Sequence, residues 1–405
     1  RDGDDILIGD PGALGTVTPG DTANIVFVLD TSGSMDADIS FNGSTTSRLE
    51  ALQFATNAAI DDLAASGAAN VRIHLVQFNE AGGPGITFDL ISGGVVNTAA
   101  VAAAHAVVNG FDDTFDGPGT NYESALQQVQ SWVAGSSVTY SNIGAEAFDS
   151  NGAPANGTAV LLNSYDTKVA VVSAWNGTTQ ANVTGTSGAM GVNGSGDDVD
   201  SGEFLRFDFG VENNFGVAGF DPSPNTGSSG FGTQFATFNG PPIEFATFAF
   251  AGISGSESIN YTIHYTDNTT SSGSVTSSTS VQLGTNGKTI AYAEFTGGSG
   301  NGMTVELTSV TLDYDGPLTN AGAKNKVVFI SDGEPNAGGT FTDEVSAIES
   351  AFGPIEAVGI NVSSGALSTL STVEGSGGSA TNITTGEELD AVIGALSGGT
   401  VIADN

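Results

Sequence analysis

The stretch VLDTSGSMDAD, residues 28–38, sets Asp30, Ser32 and Ser34 at alternate positions directly behind an apolar run. Carboxylate and hydroxyl oxygens on short side chains suit a hard divalent cation, because such ions take oxygen donors and tight loops can aim several of them at one point. The same residues also suit a hydrogen-bonded polar turn with Asp30 capping the next helix. Asp36 and Asp38 continue the alternation and are expected outside any first shell. A second concentration of oxygens lies in NGSGDDVDSGEFLRFDFG, which gathers Asp197, Asp198, Asp200, Glu203 and Asp208 around a glycine-rich turn. It lacks the spacing of an EF-hand loop, leaving a calcium site and a solvated acidic turn as the two readings. Trp175, in SAWNG, is either an aromatic platform for a sugar or peptide or a core tryptophan.

Other chemistries find little support. The chain has no cysteine, which removes disulfides, thiolate nucleophiles and cysteine-ligated metals. His74, His105 and His264 fall in a strand, a helix and a strand, without zinc-site spacing. GTNGKT imitates the end of a phosphate-binding loop, but Gln282 stands where its first glycine is required, and Asn286-Gly287 reads as a hairpin turn. A glycosidase would need a carboxylate pair across a cleft, which sequence does not locate. The expectation is a non-enzyme.

Composition points the same way. Among 405 residues, 45 are Asp or Glu and 8 are Lys or Arg, a formal net charge of −37. Such a chain repels nucleic-acid phosphates and anionic membranes, and it relieves its own repulsion by binding cations. Its 58 glycines, scarce lysine and missing cysteine suit a bacterial extracellular protein. No apolar run reaches the length of a transmembrane helix, so a soluble chain is expected. The start at Arg1, without Met or a signal-like segment, suggests a piece of something longer.

The elements that would position these residues change character twice. ANIVFVLD is a near-continuous apolar run, as for a strand buried on both faces. SRLEALQFATNAAIDDLAA and NYESALQQVQSWVAG have helical spacing, the latter stopping at Gly135. From about Ser136 the pattern becomes two-residue alternation, as in INYTIHYTD, with Gly, Ser and Asn turns. Strand and helix alternate again from NKVVFISDGEPN onward. The expected organisation is a linker (1–21), an α/β domain in two parts (22–137 and 323–405), and an inserted antiparallel β-sandwich (138–322). The α/β part should be a doubly wound, mostly parallel sheet. The helix from Asn121 should run away from the oxygen cluster, so the insertion should leave from the opposite end of the sheet.

Asp30-Thr-Ser32-Gly-Ser34 after a buried strand resembles the DxSxS motif of von Willebrand factor type A domains, which carry a metal-ion-dependent adhesion site. Two further pieces of that pattern are present in order. GPGTNYESAL places Thr120 in a loop before a helix, where that family has its threonine ligand, and VVFISDGEPN places Asp332 at a strand end, where it has a second aspartate. The resemblance implies that Asp30, Ser32, Ser34, Thr120 and Asp332 hold Mg2+ or Ca2+, with one position left for water or a partner's carboxylate. It places the site beyond the carboxyl ends of the strands, where strand order reverses.

GDDILIGD, residues 3–10, resembles one calcium-binding nonapeptide of the repeats-in-toxin family, with Gly3, Asp5 and Leu7 at its glycine, aspartate and apolar positions. A single copy also reads as an acidic linker. Together the resemblances imply a ligand-binding region of a long adhesin of that type, secreted by the type I route to the bacterial surface. Its partners would be an extracellular glycan, peptide or protein carboxylate, with biofilm attachment as the outcome. The competing expectation is a metal-stabilised spacer that binds no ligand at the metal.

Overall fold

A computed structural model describes residues 17–111, 119–141, 143–145, 159–164, 167–177, 179–186, 189–193, 197–210, 240–299, 302–375 and 378–397. The chain divides into two units, one formed by residues 1–134 and 316–405 and the other by 135–315. Both breaks fall a few residues earlier than the alternation of polar and apolar residues suggests.

The first unit begins with β1 (Thr22–Asp30), buried along nearly its whole length. A two-residue-turn hairpin follows, β2 (Asp38–Phe41) and β3 (Ser44–Ser47), then α1 (Arg48–Ala65). Ser47 and Glu50 form a reciprocal capping box that fixes where α1 starts. Next come β4 (Asn70–Phe78), β5 (Ile86–Ser92), β6 (Val95–Val96), α2 (Thr98–Asn109) and α3 (Tyr122–Val133). Asn121 caps α3 through the Ser124 amide, and Gly135, just past its end, adopts φ +59°. After the second unit the chain adds the strand Lys324–Ser331, α4 (Thr342–Ala351), the strand Ile355–Ile360, α5 (Ser364–Val373), the strand Thr381–Ile383 and α6 (Gly386–Ser397).

These strands form one seven-stranded sheet, ordered Thr381–Ile383, Ile355–Ile360, Lys324–Ser331, β1, β4, β5, β6. The first five are parallel to one another, β5 pairs antiparallel with β4, and β6 pairs antiparallel with β5. Helix α1 contacts α2 and α6, and α4 contacts α3 and α5, consistent with layers on the two faces. A continuous apolar core including Phe27, Leu29, Leu52, Ile60, Ile73 and Ile330 lies beneath the first group. The parallel strands are apolar on both faces because both are covered. Strand order reverses between β1 and Lys324–Ser331. The register there pairs Leu29 with Ile330, so Asp30 and the residues after Ser331 emerge side by side.

The chain leaves the first unit after α3 has run away from Thr120. It returns at Gly316, whose carbonyl accepts from Arg72 Nη1 at 2.7 Å near the start of β4. Asn24, near the start of β1, accepts from the Leu318 amide at 2.7 Å. The return is therefore at the end of the sheet opposite Asp30.

The second unit contains two antiparallel sheets. One runs Thr270–Val275, Ser258–Tyr265, Ile290–Ser299, Glu203–Asp208, Thr167–Asn176, Ala159–Ser164, Gly144–Ala145. The other runs Val183–Thr186, Ala189–Asn193, Thr304–Asp313, Ile243–Ala251, Thr279–Gly284. Their apolar faces meet at Phe248, whose ring centroid lies 5.1 Å from that of Phe207 and 4.5 Å from that of Phe295. Among the described residues there is thus more strand than helix.

Candidate metal centre

The alternation in DTSGS has a local cause. Thr31 is drawn inward, its amide donating to the Phe78 carbonyl at 2.9 Å, which extends β1 against β4 by one residue. The chain then turns through a short 3-10 segment, Gly33–Asp36, anchored by the buried Met35. Ser32 and Ser34 are left on the same side as Asp30. The Ser32 amide donates to Asp30 Oδ1 at 2.9 Å, and the Ser32 and Ser34 hydroxyls lie 3.2 Å apart.

Asp332 arrives from the neighbouring strand. Ser34 Oγ donates to Asp332 Oδ1 at 2.6 Å, joining residues 298 positions apart. The other oxygen, Oδ2, accepts from Arg48 Nη1 at 2.5 Å. Ser331, one residue earlier, turns to the opposite side and donates to Asp30 Oδ2 at 2.5 Å. Tyr122, from the first turn of α3, donates from its hydroxyl to Gly333 O at 2.5 Å and lies 2.9 Å from Ser331 Oγ.

Thr120 is held on the loop before α3 by the segment that follows Asp332. Its amide donates to Asn336 Oδ1 at 2.7 Å, and its carbonyl accepts from the Asn336 amide at 3.1 Å. The Asn121 amide donates to the Asn79 carbonyl at 2.7 Å, tying the same loop to the end of β4. Three loops are therefore laced together over the strand ends. Asp30, Ser32, Thr120 and Asp332 are all buried, while Ser34 is exposed, as are Asp36 and Asp38.

Two carboxylates this close, one fully buried, disturb each other. Burial, followed by the charge of Asp332, raises the Asp30 carboxyl to about 6 against the pull of its Ser331 and Ser32 hydrogen bonds. Burial also pushes the Tyr122 hydroxyl well above its usual range, keeping it a neutral donor. Among the described residues, no three His, Cys, Asp or Glu side chains are placed to hold a metal ion. Any ion here would take two carboxylates and fill the remaining positions from hydroxyls and water. With oxygen donors alone, the set fits Mg2+ or Ca2+ and offers nothing to a soft metal.

The other sequence candidates have partners of their own. Asp208 is engaged by Arg206 from Nε and Nη2, at 2.9 and 2.7 Å, on its own strand. Glu203 accepts from the Asp200 amide at 3.0 Å and from Asn176 Nδ2 at 3.2 Å, making a local turn. Asp197 pairs through its backbone with Asn193, and Asp198 with Val192. Burial, followed by the nearby charges of Asp200 and Asp198, raises the Glu203 carboxyl, so these three acids lie near one another, while Asp208 is engaged by Arg206. Trp175 is 1% exposed, its ring 5.8 Å from and nearly parallel to that of Phe204, so the platform expectation gives way to a core tryptophan. Asp5 lies outside the described residues. Sequence reasoning missed Arg48, Ser331, Tyr122 and Asn336. Ser331 and Tyr122 are readable in hindsight, being one and two residues from proposed ligands, whereas nothing local marks Arg48.

Comparison with known proteins bears on the first unit. Residues 25–146 match the family model of the von Willebrand factor type A domain. No curated protein matches the chain. A solved structure similar to it is the PilB minor pilin from Streptococcus sanguinis, at 13% identity and a TM-score of 0.31. That match covers 95% of this chain and 61% of the pilin chain.

Proposed function

We propose that the first unit is a divalent-metal-dependent binding module of an extracellular adhesin, with Asp30, Ser32, Ser34, Thr120 and Asp332 holding Mg2+ or Ca2+. The observation that carries this reading is the Ser34 hydroxyl, 3.2 Å from Ser32 Oγ and 2.6 Å from Asp332 Oδ1. It links the DTSGS turn to an aspartate from the far side of a large insertion, at the point where strand order reverses. The match over residues 25–146 supports it, since type A domains commonly serve in adhesion and protein interaction. The bound ion would act as a Lewis acid with a position open to a partner's carboxylate. Asp30 and Asp332 would supply its charge, the hydroxyls its neutral donors, and Tyr122 with Ser331 would hold Asp30 in place.

In the finer reading, the parent protein is a repeats-in-toxin adhesin, secreted by the type I route to the bacterial surface. The second unit, read as a β-sandwich, adds a separate glycan- or peptide-binding module, and neither unit is an enzyme. A spacer role for the metal is the competing reading, favoured by the burial of Asp30 and Asp332.

Calorimetric titration of Mg2+ and Ca2+ into chelator-stripped protein tests the metal, with saturable binding expected for the wild type and none for Asp30→Ala. A glycan and peptide array, run with metal and with chelator, tests the adhesive role. Loss of acidic-peptide capture in both chelator and Asp30→Ala, with the fold retained, supports adhesion. A metal effect on melting temperature with no effect on any captured ligand leaves the spacer.

A further inference from the structure

Arg48 is one of four arginines in a chain with 45 acids, and its location needs an explanation. It is the first residue of α1, where the helix dipole presents its positive end and disfavours a cation. Its side chain is only 13% exposed, and its Nε is buried without a hydrogen-bond partner among the described residues. Against these costs stands one gain, the 2.5 Å bond from Nη1 to Oδ2 of Asp332, a carboxylate with no exposed surface.

The charge balance at this end of the sheet shows what Arg48 supplies. Ionised Asp30 and Asp332 carry two negative charges in a buried setting, and Arg48 returns one positive charge. A divalent cation added to that set would leave an excess positive charge beside a guanidinium, in a region where charges are poorly screened. The same cation with Arg48 turned outward leaves the two carboxylates neutralised.

We propose that Arg48 is a resident counter-ion that a divalent metal must displace from Asp332, so that guanidinium and metal compete for one carboxylate. The inference rests on the metal reading of the preceding subsection. The tether sits on the first turn of α1, and the arginine stem is long enough to carry the guanidinium to solvent without moving that helix. The metal-free fold is thereby protected from two unneutralised buried carboxylates. In return the site fills only at ion concentrations above those the same donors would need without Arg48. Metal loading also releases a cation at the rim, beside the position left for a partner's carboxylate.

The test uses the whole chain, stripped with chelator and titrated calorimetrically with Mg2+ and with Ca2+. Arg48→Gln should bind metal about tenfold more tightly than wild type, the value of one charge-assisted hydrogen bond. Arg48→Lys, which keeps the charge but loses the planar fork, should fall between them. Melting in chelator gives the second readout: Arg48→Gln should melt below wild type, and saturating metal should close that gap. Equal or weaker metal binding by Arg48→Gln, or an unchanged melting temperature in chelator, overturns the competition while leaving wild-type metal binding intact. If wild type and both variants bind no metal, the metal reading itself fails, and the competition with it. If Arg48→Gln does not fold, Arg48→Lys decides: tighter binding than wild type supports the competition, and equal or weaker binding overturns it.

Discussion

The two units each bury an arginine–aspartate pair, and the pairs are built to different standards. Arg206 and Asp208 sit two residues apart on one strand, with two guanidinium nitrogens on the carboxylate, and the guanidinium lies 3.7 Å above the Tyr292 ring. Glu294 adds a second acid at 3.9 Å. Tyr292 in turn stacks on His264 at 4.1 Å. Arg48 and Asp332 are 284 residues apart, share one hydrogen bond, and leave Nε unmatched and a second carboxylate nearby. The first pair is bidentate and enclosed, as a structural ion pair must be to offset its desolvation. The second leaves charge and hydrogen-bonding capacity over, surrounded by hydroxyls, and under-neutralised carboxylates are what a cation site requires.

The contrast breaks most visibly by removing one partner from each pair. Arg206→Met should cost about 3–5 kcal/mol in the unfolding of the second unit, because it strips the largely buried Asp208 carboxylate of both guanidinium nitrogens. Arg48→Gln in chelator should cost clearly less, since one hydrogen bond is lost and Asp332 keeps its Ser34 bond. Equal losses in chemical denaturation would erase the distinction between a closed and an open pair.

A smaller effect is expected from metal. At about a hundredfold excess over its dissociation constant, a divalent ion should stabilise the first unit by about 2.7 kcal/mol and leave the second unchanged. Asp30→Ala should lose that increment. A matching shift in the transition of the second unit would place the ion elsewhere.

Acidification offers a third comparison. His74, fully buried and stacked on Trp132 at 4.8 Å, is held by burial at about 3. Its folded value lies below the ordinary histidine value, so between about 3 and 6.5 the unfolded chain binds a proton that the folded chain refuses. Stability therefore rises with pH across that window and falls on acidification, by at most about 1.4 kcal/mol per pH unit. Asp30 acts in the opposite sense in metal-free protein. Its folded value of about 6 exceeds the ordinary 3.8, so lowering the pH through that range favours the folded state. In chelator the two slopes should partly cancel, and His74→Phe should unmask a gain on acidification through pH 6. A wild-type slope that survives in His74→Phe would assign the acid sensitivity to another group.

The smallest expected change is Ser34→Ala, which removes one neutral donor from Asp332. Its cost in chelator should be about 1 kcal/mol, read from thermal melts. A larger effect on metal affinity than on stability would mark that hydroxyl as a ligand as well as a strut.

Much of this was legible from one dimension, for identifiable reasons. Buried parallel strands are apolar on both faces, so ANIVFVLD and KVVFIS declared themselves, and the two-residue alternation of INYTIHYTD marked the change of unit. Ser47 with Glu50 and Asn121 with Ser124 are local caps, visible in any window of four residues. The acid cluster of residues 197–208 was legible only in part: Asp198, Asp200 and Glu203 do lie near one another, whereas Asp208 is taken up by Arg206. On the strand Glu203–Asp208 the two acids stand five residues apart and so project to opposite faces. Trp175 stayed between two readings because its sequence surroundings are polar, and its ring is stacked on Phe204 from the neighbouring strand.

By itself, the sequence determined everything that depends on near neighbours: the strand, the turn that follows it, and the side on which Asp30, Ser32 and Ser34 project. Tertiary structure alone decided that Ser34 meets Asp332, that Ser331 braces Asp30, and that Arg48 covers the remaining oxygen. Those contacts follow from the parallel register of β1 against Lys324–Ser331, across hundreds of residues and a second unit. Parallel pairing is set by the burial of both sheet faces and by the crossovers that connect the strands, and no local pattern encodes it.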